Sequence, residues 1–165
     1  EHCMDLALKY QNVLTLRTLS KSYSLAALRV GYVVGAAPLI EALMKVKDSY
    51  NLDGVAQALA LAALNDVAHM RANAERIIAS RQGLSAALTE FGFDVSPSET
   101  NFLWVRPPAA ITAQDLFDKL RECGILVRYF PGPKTGQHVR ITIGDENEVA
   151  ALLSAVGSIL KGDVI

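Results

Sequence analysis

Along the first fifty residues short apolar runs alternate with helical spacings. Residues 12–18 (NVLTLRT) hold Val13 and the β-branched Thr15 in a brief strand-like run, and residues 30–34 (VGYVV) read as a second strand. The segment between them, residues 19–29 (LSKSYSLAALR), starts too polar to be core. Pro38 suits the first turn of a helix that carries Leu39, Ile40, Leu43, Met44 and Val46 on one side. From Val55 to Phe91 the pattern is helical almost throughout. Alanine dominates there, with Leu59, Leu64, Ile77, Ile78, Leu84 and Leu88 at helical spacings. That length predicts two helices or one long connecting helix, stopped by Gly92.

The last seventy residues have another rhythm. Residues 101–106 (NFLWVR) predict a strand ended by Pro107 and Pro108, with Phe102 and Trp104 read as core rather than as a stacking platform. Thr112 and Asp115 resemble a capping box for a helix that buries Leu116, Phe117 and Leu120, and Gly124 closes it. Residues 125–130 (ILVRYF) predict a strand, PGPKTG a turn, and residues 138–143 (HVRITI) a further strand. Asp145 with Glu148 caps a final helix. This strand–helix–strand–strand–helix order describes a small α+β domain, bounded near residues 50–54. Period-two alternation sets His138, Arg140 and Thr142 on one face of the 138–143 strand and Val139, Ile141 and Ile143 toward the core.

Composition narrows the class. Of 165 residues, 51% are hydrophobic and 20% charged, which fits a soluble globular chain of one domain or one domain plus part of another. A net charge of -1 gives no reason to expect nucleic acid or an acidic membrane surface as a partner. Two cysteines, Cys3 and Cys123, are too few for a disulfide framework or a cysteine-rich metal site, so a reducing compartment is expected. Cys123 reads as packing. His2, His69 and His138 show no metal-ligand spacing. Charges at Glu41, Lys45, Lys47, Asp53, Asp66 and Arg71 break the apolar stretches before any reaches spanning length. The start at Glu1, with no Met and no signal-like segment, suggests an excised or processed chain.

Chemistry concentrates in residues 15–32, TLRTLSKSYSLAALRVGY. Hydroxyls at Thr18 and Ser20, an amine at Lys21 and a guanidinium at Arg29 all flank one strand-to-helix-like turn. A bound phosphate needs hydrogen-bond donors and positive charge together, and hydroxyls with a guanidinium supply both. A nearby cation favours the neutral, nucleophilic form of an amine, as imine chemistry with a phosphorylated aldehyde requires. A solvated loop with scattered charges fits the same spacing. The Gly132, Lys134 and Gly136 set in PGPKTG lacks phosphate-loop spacing and reads as a plain turn. Asn101, opening its strand, fits either a brace for a site or an ordinary turn.

The run Arg17, Thr18, Leu19, Ser20, Lys21, followed by Leu28, Arg29, Val30, Gly31, Tyr32, resembles the cofactor-lysine segment of fold-type I pyridoxal-phosphate aminotransferases, most closely the histidinol-phosphate aminotransferases. The resemblance implies that Lys21 carries the cofactor and shuttles the proton of transamination. It assigns the cofactor phosphate to Ser20 and Arg29, with Thr18 contributing its hydroxyl. Ser24 and Ala27 stand where the family often has glycine. NFLWVRP, GILVRYF and HVRITIGDENE resemble the family's small domain in the same order. On that likeness Arg140 grips the α-carboxylate and Arg128 is a second cation near the substrate.

The implied fold is α/β, the C-terminal part of a pyridoxal-phosphate-dependent transferase. Residues 1–52 would end the cofactor-binding large domain as a sheet remnant carrying the lysine. Residues 53–165 would form the long connecting helices and the small C-terminal α+β domain. The family's aspartate to the pyridine nitrogen, and its asparagine and tyrosine contacts, would lie upstream of Glu1. The piece alone is therefore expected to be inactive and to bind cofactor weakly. The resemblance further implies pyridoxal 5'-phosphate as cofactor, amino-acid and keto-acid substrates, and a cytoplasmic homodimer with neither nucleic acid nor membrane as partner. Aromatic aminotransfer, threonine-phosphate decarboxylation and a non-catalytic interaction module remain open alternatives.

Overall fold

A single aspartate decides how the alanine-rich stretch folds. In the computed structural model, which describes residues 3–162, Asp66 ends one helix and begins the next. Its backbone N–H still reaches Ala63 O, but its ψ of 60° leaves the helical region. Its carboxylate then accepts from His69 N at 3.1 Å. The stretch is therefore two helices, Gly54–Asn65 and Val67–Glu90. The chain divides into two compact units, Glu1–Asn73 and Ala74–Ile165, and the division falls inside the second of these helices.

The first unit opens with helix α1 (Cys3–Lys9), which no apolar period announces. Thr15 Oγ1 donates to Cys3 O at 2.8 Å and ties it to strand β1 (Leu14–Thr18). β1 pairs antiparallel with β2 (Gly31–Gly35), Thr18 opposite Gly31. A Cβ on Gly31 would stand 2.7 Å from Arg17 O, so a glycine is required for this close backbone approach. Helix α2 (Ala37–Val46) carries Pro38 in its first turn, as its sequence predicts, yet Met44 and Val46 are 58% and 81% exposed. Helix α3 (Gly54–Asn65) is capped by Asp53, which accepts from Ala56 N at 2.9 Å. Ala56 and Ala60 pack with Leu19 and Val30 into a small core. Leu19, in a segment read as too polar for core, is only 2% exposed. The polar run around it turns outward while this one side chain turns in.

The second unit takes up helix α4 (Val67–Glu90) from Ala74 onward and builds an antiparallel sheet in the order β3-β4-β6-β5. These strands are β3 (Asp94–Val95), β4 (Phe102–Arg106), β5 (Arg128–Tyr129) and β6 (Val139–Thr142). Helices α5 (Ala113–Glu122) and α6 (Glu146–Lys161) follow β4 and β6. Leu84 and Leu88 from α4, Leu116 and Leu120 from α5, and Leu152, Val156 and Ile159 from α6 bury one sheet face, against Leu103, Val105, Val139 and Ile141. Burying each such side chain contributes about 1.5–3 kcal/mol.

The ends of these helices obey their sequences. Thr112 caps α5 by accepting from Asp115 N at 3.0 Å. Asp145 and Glu148 form a reciprocal capping box on α6, at 2.9 and 2.8 Å. Gly92 and Gly124 stop α4 and α5 at φ values of 83° and 77°. Cys123 is half-buried against the core. Only Arg128 and Tyr129 of the predicted 125–130 strand pair with β6, and the two-residue β3 was not foreseen. Among the described residues no helix is long and apolar enough to cross a membrane. His2 lies outside the described residues.

Candidate functional site

In the first unit the chain leaves β1 at Thr18 and returns at β2, and the loop between them carries the cluster that the sequence singles out. Two backbone bonds close its base: Leu19 N donates to Val30 O at 3.1 Å, and Leu25 N to Leu19 O at 3.2 Å. Burial of Leu19 and Val30 holds this base while the polar residues point outward. Thr18 Oγ1 accepts from Ser20 N at 3.1 Å and donates to Ser20 Oγ at 2.8 Å. Ser20 then keeps its own hydroxyl hydrogen for an outside acceptor. Lys21 is exposed on the next residue, and its carbonyl accepts from Ser24 N at 3.1 Å.

Two residues of this loop adopt a conformation that L side chains rarely enter. Ser24 has φ 58° and Arg29 φ 55°. Each costs on the order of 1–2 kcal/mol relative to ordinary backbone, and such outliers collect at functional sites. Ser24 occupies a place where the resemblance leads one to expect glycine, and its φ gives the reason. Arg29 follows the single 3-10 turn Ala26–Leu28 and directs Nη1 to Ala26 O at 2.9 Å. One N–H is used this way, which leaves the remaining guanidinium donors of this exposed side chain open to solvent or a ligand. Hydroxyl pair, amine and guanidinium thus share one pinned loop whose donor set suits a phosphate dianion.

A second cluster lies in the second unit, on the sheet face that the helices leave uncovered. Alternation along β6 is as its sequence predicts: Val139 and Ile141 are buried, while His138, Arg140 and Thr142 line the other face. The reading of Phe102 and Trp104 as core is corrected here. Leu103 and Val105 of β4 face the helices, whereas Phe102 and Trp104 stand half-buried beside Arg140, with Trp104 as its cross-strand partner. Trp104 stacks on His138 with centroids 5.1 Å apart and planes 12° apart. The guanidinium of Arg140 lies 5.4 Å from the Phe102 ring centre and 5.6 Å from that of Phe130. Arg128, opposite Arg140 in the β5–β6 register, lies 5.3 Å from the same Phe130 ring. Two cations and four aromatic rings therefore share one face.

Among the described residues no carboxylate stands within ion-pair distance of Arg140, and its Nε is buried without a hydrogen-bond partner. An arginine in that condition is set up to receive an anion from outside. Asn101 joins the two strands that bear the cluster, its carbonyl accepting from Ile143 N at 2.9 Å. Arg81, buried in α4, donates to Thr100 O at 2.8 Å and to Glu99 at 3.0 Å, and so fixes the approach to β4. Nothing in the helical pattern of residues 55–91 singles Arg81 out for that role. PGPKTG forms a turn, and Gly136 is needed because a Cβ there would stand 2.8 Å from Gly132 O.

Comparison with known proteins fits this geometry. Over 157 residues the chain is 45% identical to a histidinol-phosphate aminotransferase of Microcystis aeruginosa, covering 95% of this chain and 45% of that protein. Over 163 residues it is 45% identical to histidinol-phosphate aminotransferase 2 of Rhizobium meliloti, covering 97% and 46%. The crystal structure of histidinol-phosphate aminotransferase from Sinorhizobium meliloti, in complex with pyridoxal-5'-phosphate, superposes with a TM-score of 0.86 at 27% identity, over 96% of this chain and 44% of that one. The chain spans about half the length of the curated relatives it matches. The profile of the aminotransferase class I and II family matches residues 4–156, and the chain belongs to that family.

Proposed function

We propose that the full-length protein is a pyridoxal-phosphate-dependent aminotransferase of histidine biosynthesis. It would move an amino group between glutamate/2-oxoglutarate and histidinol phosphate/imidazole acetol phosphate. The observation that carries this reading is 45% identity with histidinol-phosphate aminotransferases across nearly the whole chain. The donor set agrees with the cofactor: two coupled hydroxyls, a guanidinium and an exposed amine on one loop suit a phosphorylated aldehyde.

When bound, pyridoxal phosphate supplies an electron sink conjugated to the substrate nitrogen. Ser20 and Arg29 would hold its phosphate, with the Ser20 hydroxyl oriented by Thr18. Lys21 Nζ would anchor the cofactor and would serve as the base that accepts the proton from the amino acid's Cα. Arg140 pairs with the α-carboxylate, and Arg128 adds a second positive charge for the substrate. In the same reading residues 1–52 complete the cofactor-binding domain, residues 53–165 form connecting helices and small domain, and the enzyme is a cytoplasmic homodimer.

The test is direct. The full-length protein, given pyridoxal phosphate, histidinol phosphate and 2-oxoglutarate, is expected to produce glutamate. Transfer from aromatic amino acids but not from histidinol phosphate would reassign the substrate. No transfer from any amino donor would reject the aminotransferase reading.

A further inference from the structure

We propose that Phe102 and Phe130 are positioning residues, whose rings grip the Arg140 guanidinium and preset it for a substrate carboxylate. The proposal rests on the reading of Arg140 as the carboxylate-binding arginine.

Three observations carry it. First, Arg128 and Arg140 face each other across the β5–β6 pair, an arrangement that like charges ordinarily destabilise. The Phe130 ring lies 5.3 Å from one guanidinium and 5.6 Å from the other, and a ring face attracts both. Second, Arg140 lies 5.4 Å from the Phe102 ring centre as well, so two rings share the one guanidinium. Third, no carboxylate among the described residues holds it.

That third point gives the arrangement its use. A protein carboxylate would fix the arginine but would occupy the same in-plane donors that a substrate carboxylate needs, and would have to be displaced at each turnover. Aromatic rings fix the cation without taking up those donors. Phenylalanine has only two side-chain torsions, so the grip is rigid, and the substrate meets an arginine already in place. The Trp104–Phe130 contact, with centroids 6.1 Å apart, and the Trp104–His138 stack brace the ring in turn.

The experiment compares Phe102→Leu, Phe130→Leu, Phe130→Tyr and Arg140→Lys in the full-length holoenzyme, with glutamate as amino donor. Each Leu variant keeps apolar volume and loses the ring face. We expect KM for glutamate to rise about five- to tenfold in each, with kcat within about twofold of the parent, and Phe130→Tyr to restore the parent KM. If a Leu variant fails to fold, Phe→Met at the same position takes its place. Unchanged KM in both ring-loss variants, with a raised KM in Arg140→Lys, would overturn the clamp while leaving Arg140 its role. A KM raised as much by Phe130→Tyr as by Phe130→Leu would overturn it too. If Arg140→Lys also leaves KM unchanged, the carboxylate reading fails, and the clamp fails with it.

Discussion

The two units bury their apolar residues very differently. In Ala74–Ile165 three helices close over one face of a four-stranded sheet, and Leu88, Val105, Leu116, Leu120, Val139 and Val156 are fully buried. In Glu1–Asn73 the buried cluster is only Leu19, Val30, Ala56 and Ala60, with Ala7 buried apart from it, while Leu16, Met44, Val46, Val55 and Leu61 lie mostly exposed. The backbone outliers are distributed the opposite way. Ser24, Arg29 and Tyr50, the non-glycine residues with positive φ among those described, all belong to the first unit. One unit thus invests its sequence in packing, and the other holds a strained polar loop on a small apolar base. Stability and chemistry should accordingly respond to different substitutions.

The largest expected effect is chemical. Lys21→Ala in the full-length protein should lower turnover by at least about 10²–10⁴-fold, with little change in melting temperature because the side chain is exposed. Turnover near the parent value would remove Lys21 from its proposed role. The counterpart in the other unit is Leu116→Ala, at a fully buried position of α5. It should cost about 2–5 kcal/mol in denaturant unfolding. A loss below 1 kcal/mol would mean that the second unit's core is looser than its burial implies.

Gly31→Val tests the base of the loop. Its Cβ would meet Arg17 O, and we expect destabilisation of about 1–3 kcal/mol together with weaker cofactor binding, since β2 carries the chain away from Arg29. The smallest effect is the most discriminating in sign. Ser24→Gly should stabilise by about 0.5–1 kcal/mol, because relief of the left-handed strain exceeds the added freedom of the unfolded chain. A loss of similar size would indicate ordinary backbone at that position.

What the sequence discloses follows the same division. Local rules with strict chemistry were legible: the caps Asp145 and Thr112, the stops Gly92 and Gly124, Pro38 in the first turn of α2, and the alternation along β6. The lysine loop was legible as a set of residue types, through its resemblance. Its strained backbone at Arg29 and the inward turn of Leu19 were not, because both arise from how the loop closes on Val30 and α3. The aromatic platform was hidden for another reason. In NFLWVR both faces of β4 are apolar, so alternation gives no contrast between Leu103 against the helices and Trp104 against His138. Helix α1 and strand β3 are too short to show a period.

The most direct test of the central claim is to load the full-length protein with pyridoxal phosphate, reduce it with borohydride, and map the modified peptide by mass spectrometry. A pyridoxyl adduct on Lys21, lost on adding excess amino donor before reduction, is the predicted result. An adduct on another lysine, or none at all, would contradict the account.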